Sequence, residues 1–109
     1  PRRVLTHSAG AVLAHRARSN GMAMADRLIS PGYADDSHKS YLDSWFQIAQ
    51  TLPDGVNEIY CHPGYPDEAL RGYASYVEPR FTEVKVLTSN ELKAMLEACH
   101  IELISFNEI

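Results

Sequence analysis

The sequence has few cysteines, no long apolar run and no excess of basic residues, and each scarcity excludes a class of protein. No apolar stretch approaches the roughly 20 residues that a membrane-spanning helix needs, and the amino-terminal stretch is too broken in hydropathy for a signal peptide. The 10 basic and 14 acidic residues give a formal net charge of -4, with the arginines scattered among acids. Nucleic acid is therefore an unexpected partner, and we predict a cytoplasmic protein without a membrane span.

Both cysteines lie in segments expected to be apolar, and neither belongs to a Cys-x-x-Cys pair. Cys61 and Cys99 are 38 positions apart, which favours buried reduced thiols over a disulfide, redox or zinc site. What the sequence does have is enough apolar surface for a core, since 45% of the 109 residues are hydrophobic and 22% are charged. Residues 1–109 are expected to form a single small domain.

Helical and extended patterns alternate along the first half of the chain. A first helix is predicted from about Ser8 to Ser19, with Val12 and Leu13 as its apolar face. An extended segment is predicted from Met22 to Ile29. A second helix should begin near Ser37, because apolar residues recur at spacings of three and four. That stripe consists of Leu42, Trp45, Phe46, Ala49 and Leu52.

The second half begins with a buried strand over Val56 to Cys61, followed by a His-Pro-Gly turn. The chain is then partly helical near Pro66 to Leu70 and irregular until Pro79. A third helix is predicted after Thr88, which would cap it while Glu91 reaches back to complete a capping box. A last strand is expected over 101–106, with the sequence IELISF. This alternation predicts an α/β fold with a parallel sheet.

His62 follows the second strand, at the edge where parallel α/β proteins build their sites. Two interpretations are open. Pro63 and Gly64 can simply end the strand, which would make His62 incidental, or His62 can project from a rigid scaffold into a functional site.

Residues 55–67, with the sequence GVNEIYCHPGYPD, resemble a late motif of the YdjC-like carbohydrate deacetylases, which include chitooligosaccharide deacetylases. The resemblance continues through Arg80 and Glu83, then Leu87-Thr88-Ser89, and finally residues 100–106. It covers about half of the chain, residues 54–109, and the segment from Met22 to Leu52 fits more loosely.

The resemblance implies the carboxyl-terminal part of a (β/α) barrel that uses a divalent metal, magnesium or zinc, to remove acetyl groups from N-acetylated amino sugars. The family's metal site draws on an Asp-Asp-Phe-Gly motif and two earlier histidines, which this sequence lacks. Asp35-Asp36 is followed by Ser37-His38, and we interpret it as a polar loop that supplies a helix cap. The chain is thus predicted to be a fragment that is inactive and metal-free alone, and to pair with the missing amino-terminal part or form a homo-oligomer.

His62 is expected to be the general acid that protonates the departing amine, or a substrate-orienting group, with direct metal ligation as the lesser alternative. Tyr65 and Asp67, on the same loop, are candidates for sugar binding, although such loop residues are commonly just surface. Asp26 is expected to stand in a comparable position at the end of the first extended segment.

The remaining charged residues are expected to be structural or exposed. Arg80 and Glu83, spaced i to i+3, most simply form a structural pair, and the other histidines have no second ligand at helical spacing. Those histidines are His7, His15, His38 and His100. The alternative function is a non-catalytic truncated domain with an interaction or assembly role, and a different barrel metallohydrolase is a weaker one.

Overall fold

A computed structural model describes residues 2–35 and 37–109; Pro1, Asp36 and the side chains of residues 2–8 lie outside this description. The chain forms, in order, α1 (Arg2–Ser19), β1 (Arg27–Ile29), α2 (His38–Thr51), β2 (Asn57–Ile59), α3 (Glu68–Tyr73), α4 (Pro79–Leu87), α5 (Asn90–Ala98) and a short 3-10 turn (Phe106–Glu108). Helices and strands alternate up to β2, which confirms the α/β prediction at that level.

The two strands pair in parallel, as predicted, with Leu28 opposite Glu58. Each strand covers three residues, fewer than either predicted segment. The main-chain amide of Tyr60 donates to the carbonyl of Ile29 over 3.2 Å and extends the pairing by one residue. The carboxyl ends of both strands therefore lie at one edge of the sheet, and the loops that follow them are neighbours.

Helix α2 has the predicted start and supplies the central face of the core. The Ser37 side chain accepts a hydrogen bond from the Ser40 amide and caps the helix. Tyr41, Trp45 and Ala49 are buried along one side, and this face packs against α4 and α5. Tyr41 was not part of the predicted stripe, although it lies one helical turn before Trp45.

Helix α4 was not predicted. Its β-branched residues Thr82, Val84 and Val86 alternate with other side chains and favour extended structure by propensity. Packing outweighs this propensity, because Val86 is fully buried in the core cluster beside α2. Pro79 at the first helical position is the start signal that the sequence offered.

The predicted cap of α5 is wrong by one residue. Ser89 is the N-cap, and its hydroxyl accepts from the Leu92 amide at 3.2 Å. Thr88 instead donates its hydroxyl to the Val84 carbonyl, at the end of α4. A capping box between Thr88 and Glu91 is therefore excluded, since Glu91 is not three residues after the true cap.

The predicted last strand is also wrong, because residues 101–105 have no regular secondary structure. An open groove of about 650 Å³ is lined both by β2 and by this segment. Leu103 and Phe106 are exposed. Across this groove the segment forms no strand pairing with β2, whose second side is unpaired in the two-stranded sheet of the described residues.

Helix α1 begins at Arg2, earlier than predicted, and its expected apolar face is not buried. Val12 and Leu13 are both exposed. In the described part of the chain, no helix is long and apolar enough to cross a membrane.

Candidate functional site

His62 lies in the loop that leaves the carboxyl edge of the sheet, three residues beyond Ile59, the last residue of β2. The predicted strand over Val56 to Cys61 is therefore too long, since regular pairing ends earlier. The preceding residue, Cys61, packs against the core cluster, whereas the His62 ring faces Tyr33 on the loop that follows β1. The two side chains point in different directions, as an extended chain requires.

The main chain of His62 is held on both sides by residues of α4. Its amide donates to Oε2 of Glu83 over 2.6 Å, and its carbonyl accepts from Nη1 of Arg80 over 3.3 Å. The predicted pairing of Arg80 with Glu83 is wrong among the described side chains, because each of them binds the His62 peptide instead. Because Arg80 and Glu83 are spaced i to i+3, both side chains lie on one face of α4 and both reach the main chain of His62.

Glu83 links this loop to the other one through Tyr76. The Tyr76 hydroxyl donates to Oε1 of Glu83 over 2.6 Å and accepts from the Ala34 amide over 2.7 Å. Arg80 adds to the arrangement by donating to the Tyr76 carbonyl over 2.6 Å. A continuous set of hydrogen bonds therefore connects the loop after β1 with the loop after β2.

The protonation of this region follows from its burial. Burial raises the pKa of Tyr76, and its hydrogen bond to Glu83 raises the pKa further. Burial also raises the pKa of the Cys61 thiol, with a contribution from the charge of Glu83. Both groups are therefore neutral near pH 7, and the Tyr76 hydroxyl keeps the proton that it donates.

The rings of Tyr33, Tyr60, His62 and Tyr76 form an aromatic cluster. Tyr33 stacks on His62 with ring centroids 5.9 Å apart and an interplanar angle of 23°. Tyr60 and Tyr76 approach His62 edge-on at 5.9 and 6.1 Å, an arrangement that the quadrupole of aromatic rings favours. Tyr33 is 75% exposed, so one side of the cluster is open to solvent.

Tyr65 and Asp67 lie on the same loop as His62 but outside the aromatic cluster. The exposed Tyr65 ring packs instead against Phe81, with centroids 5.7 Å apart. Oδ1 of Asp67 accepts from the Leu70 amide over 2.7 Å and caps α3. Their predicted contact with sugar stays a prediction.

Asp26 lies away from His62, at the opposite edge of the sheet. It precedes β1, where its Oδ2 accepts from the Val56 amide over 2.9 Å and its own amide donates to the Val56 carbonyl over 2.7 Å. The expectation of a position comparable with that of His62 is wrong, because parallel strands carry their amino ends to the same edge. This geometry joins the starts of the two strands.

The other histidines and acids give no metal cluster in the described residues. No three His, Cys, Asp or Glu side chains there come close enough together to hold an ion. His15 and His100 are exposed and His38 is half-buried, while the His7 side chain lies outside the description. Asp35 accepts from the Ser37 amide over 2.7 Å, as expected of a polar loop before a helix, and Asp36 is not described.

The sequence did not indicate the other rings of the cluster, Tyr33, Tyr60 and Tyr76, or Glu83 as the acceptor of the His62 amide. Tyr76 and Glu83 are seven residues apart, but Tyr76 lies in the loop before α4 and Glu83 within that helix, so no helical spacing relates them. Tyr33 could have been found as an aromatic residue in the loop that follows the first extended segment.

Comparison with known proteins shows the family of this chain. A family model described as YdjC-like protein matches residues 2–98. A carbohydrate deacetylase of Listeria monocytogenes serotype 4a is 52% identical over 54 residues, which are 50% of this chain and 22% of that protein. A carbohydrate deacetylase of Brevibacillus brevis is 39% identical over 79 residues, covering 67% of this chain and 32% of that protein.

The fold has a solved counterpart as well. The crystal structure of a proposed cellobiose-phosphate cleavage protein of Enterococcus faecalis superposes with a TM-score of 0.66 and 29% identity, over 82% of this chain and 34% of that one. The chain thus spans between about a fifth and a third of the length of these relatives. With nearly its whole length matched by the family model, the chain belongs to the YdjC-like protein family.

Proposed function

We propose that this chain carries part of the site of a deacetylase that acts on N-acetylated amino sugars or their oligosaccharides, with His62 as the general acid. The names of the curated relatives support the reaction class. The single observation that carries the role of His62 is its setting: a main chain hydrogen-bonded on both sides and a ring in a cluster open to solvent.

Hydrolysis of an acetamide adds water to the carbonyl carbon, breaks the C–N bond and delivers a proton to the departing nitrogen. Acetate and a free amino sugar are released. Imidazole suits the proton transfer because histidine exchanges protons near neutral pH. Contacts with Tyr33, Tyr60 and Tyr76 restrict the ring of His62, and a fixed donor is worth more than a mobile one. A substrate-orienting role for His62 is the nearest alternative, and direct metal ligation is the lesser one.

Tyr65 and Asp67 are proposed to contact the sugar. The Tyr65 ring is exposed and can stack on a sugar face. Asp67 uses one carboxylate oxygen to cap α3, which leaves the other available for a hydroxyl group. We leave Asp26 out of this proposal because its carboxylate is bonded at the opposite sheet edge.

A divalent ion, magnesium or zinc, is part of the proposed reaction, but the described residues do not fit its site. A hydrolytic metal centre needs about three protein ligands, and no such group occurs in the described part of the chain. We therefore assign no metal ligand here. The isolated chain is expected to bind divalent ions weakly and to release no acetate.

We further propose that the parallel pair β1–β2 belongs to a (β/α) barrel completed by other polypeptide, either more of the same protein or a second copy. The partial coverage of the relatives supports this. An assembly role without catalysis is the alternative, and the exposed apolar side chains of Val12, Leu13, Leu103 and Phe106 favour it.

The test is acetate release from N-acetylglucosamine oligomers, measured with the polypeptide encoded by the whole open reading frame that carries this sequence. We expect His62→Ala to lower kcat by about 10²- to 10⁴-fold with a smaller change in KM. The control is His15→Ala, since His15 is exposed on α1, and its turnover should match that of the wild type. Unchanged turnover of His62→Ala would retire the acid role.

The isolated 109-residue chain is tested beside it, with calorimetric titration of zinc, cobalt and magnesium. Micromolar metal binding together with acetate release that His62→Ala abolishes would contradict the proposed absence of a metal site. Asp26, Asp35, Asp36 and His38 would then be the first candidate ligands. Absence of acetate release from both polypeptides, with stable self-association in sedimentation, would favour the assembly role.

A further inference from the structure

Glu83 is a buried acid with an unusual set of partners. Its side chain is 0% exposed, and in the described part of the chain no cationic side chain lies within ion-pair distance of it. A carboxylate without water is retained only when its oxygens are hydrogen-bonded. Each oxygen of Glu83 accepts one short bond, from the His62 amide and from the Tyr76 hydroxyl, both at 2.6 Å.

These two bonds reach two different loops. The His62 amide belongs to the loop after β2, and the Tyr76 hydroxyl passes the connection to the Ala34 amide, in the loop after β1, over 2.7 Å. Tyr33, beside Ala34, stacks on the His62 ring. The Glu83 carboxylate therefore fixes the main chain beside the His62 ring and, through Tyr76, the main chain beside the Tyr33 ring.

We propose that Glu83 is a positioning residue that sets the His62 ring against Tyr33 by holding the His62 amide directly and the Ala34 amide through Tyr76. The inference rests on the proposed function in one respect: the orientation matters because the imidazole must point at the acetamide nitrogen to protonate it. Charge is not required for the positioning. The side chain at position 83 must accept a hydrogen bond from the His62 amide. It must also either accept from the Tyr76 hydroxyl or donate to the oxygen of that hydroxyl when its O–H points elsewhere.

Three variants of the chain differ in which of these hydrogen bonds they keep. In Tyr76→Phe the Ala34 amide loses its acceptor while the His62 amide keeps Glu83. In Glu83→Gln the amide oxygen can accept from His62, and its NH₂ group can donate to Tyr76, so both loops stay held. In Glu83→Ala both connections are lost. Tyr73→Phe is the matched control, because Tyr73 is 92% exposed.

Amide hydrogen exchange measured by NMR on the 109-residue chain gives the test. Tyr76→Phe should speed exchange of the Ala34 amide about tenfold, the factor expected for one lost hydrogen bond, and should leave the His62 and Val86 amides within about threefold of the wild type. Glu83→Gln should preserve both loop amides. Glu83→Ala should speed both and move the His62 ring protons away from their ring-current-shifted positions.

Unchanged Ala34 exchange in Tyr76→Phe, or faster His62 exchange in Glu83→Gln with Val86 unaffected, would overturn the proposal. Uniform acceleration that includes Val86 would also overturn it, because it would show general destabilisation. If Glu83→Ala does not fold, the other two variants decide. None of these readouts uses turnover, so a failed acetate assay would refute the proposed function and leave this inference standing.

Discussion

Tyr76 donates a 2.6 Å hydrogen bond to the fully buried carboxylate of Glu83. Burial and this bond raise the pKa of Tyr76 above the ordinary value of 10.0. Below pH 10 the tyrosine is protonated in both the folded and the unfolded chain, so its stabilising contribution is fully present. Above about pH 10 the unfolded chain loses this proton while the folded chain keeps it, and stability falls until the folded group also ionises.

The free energy of unfolding should therefore decline with pH above 10, with Tyr76 contributing up to about 1.4 kcal/mol per pH unit. Urea unfolding between pH 9.5 and 11 measures the slope, which Tyr76→Phe should reduce and Tyr73→Phe should not. Tyr41, whose pKa burial also raises, leaves a residual slope in the Tyr76→Phe variant. Equal slopes for that variant and the wild type would contradict the interpretation.

Trp45→Ala is expected to destabilise the chain by about 3 to 5 kcal/mol, the usual cost of emptying a buried aromatic site. Trp45 is buried in the core cluster with Tyr41 and Val86. Phe46, which is half-buried on the same helix, provides the comparison, and Phe46→Ala should cost less. Urea denaturation followed by circular dichroism measures both. A Trp45→Ala chain that unfolds cooperatively at nearly the wild-type midpoint would refute the assignment.

The cap of α5 can be tested by two neighbouring substitutions. Ser89→Ala removes the acceptor of the Leu92 amide and should cost about 1 kcal/mol. Thr88→Ala removes only a hydroxyl that donates to the Val84 carbonyl, and should change stability by less than about 0.5 kcal/mol. Chemical denaturation measures the loss of stability in each variant. A larger loss for Thr88→Ala than for Ser89→Ala would restore Thr88 as the cap.

Gly55 is expected to tolerate no side chain. Its φ is 113°, and an added Cβ would lie 2.6 Å from Oδ2 of Asp26, which binds the Val56 amide. Gly55→Ala should therefore cost more than about 1 kcal/mol. Gly72 in α3 has open space around its Cβ position, so Gly72→Ala should be neutral or stabilise by up to about 1 kcal/mol. Similar thermal midpoints for the two variants would count against the strained geometry at Gly55.

The sequence predicted those elements whose signals are local. Helix α2 has an apolar stripe and a serine cap, so its start and, except for Tyr41, its buried residues could be predicted directly. Helix α4 was missed because its stability comes from contact with α2, and β-branched residues such as Val84 and Val86 mask a helix that packing imposes. The segment 101–106 has strand composition, but composition alone does not create pairing, and the segment lies across a groove from β2 without joining it.

The candidate site was partly predictable for the same reason. His62 was singled out because it follows an apolar run and begins the His-Pro-Gly turn. Its partners were not found, since Glu83 and Tyr76 approach it through tertiary structure, from 21 residues away in the case of Glu83. Asp26 was misplaced because its strand begins later than the apolar pattern suggested, at Arg27.

The hydrogen bond between Ala34 and Tyr76 joins residues 42 positions apart, which has a consequence for folding kinetics. A contact of such separation closes a long loop, and the entropy of that closure is lost before the bond forms. We expect the helices to pack first and this bond to form on the native side of the transition state. Tyr76→Phe should then leave the refolding rate nearly unchanged and speed unfolding by no more than about threefold, the limit also expected for exchange of the Val86 amide, so the surroundings of His62 would be the last part of the chain to assemble.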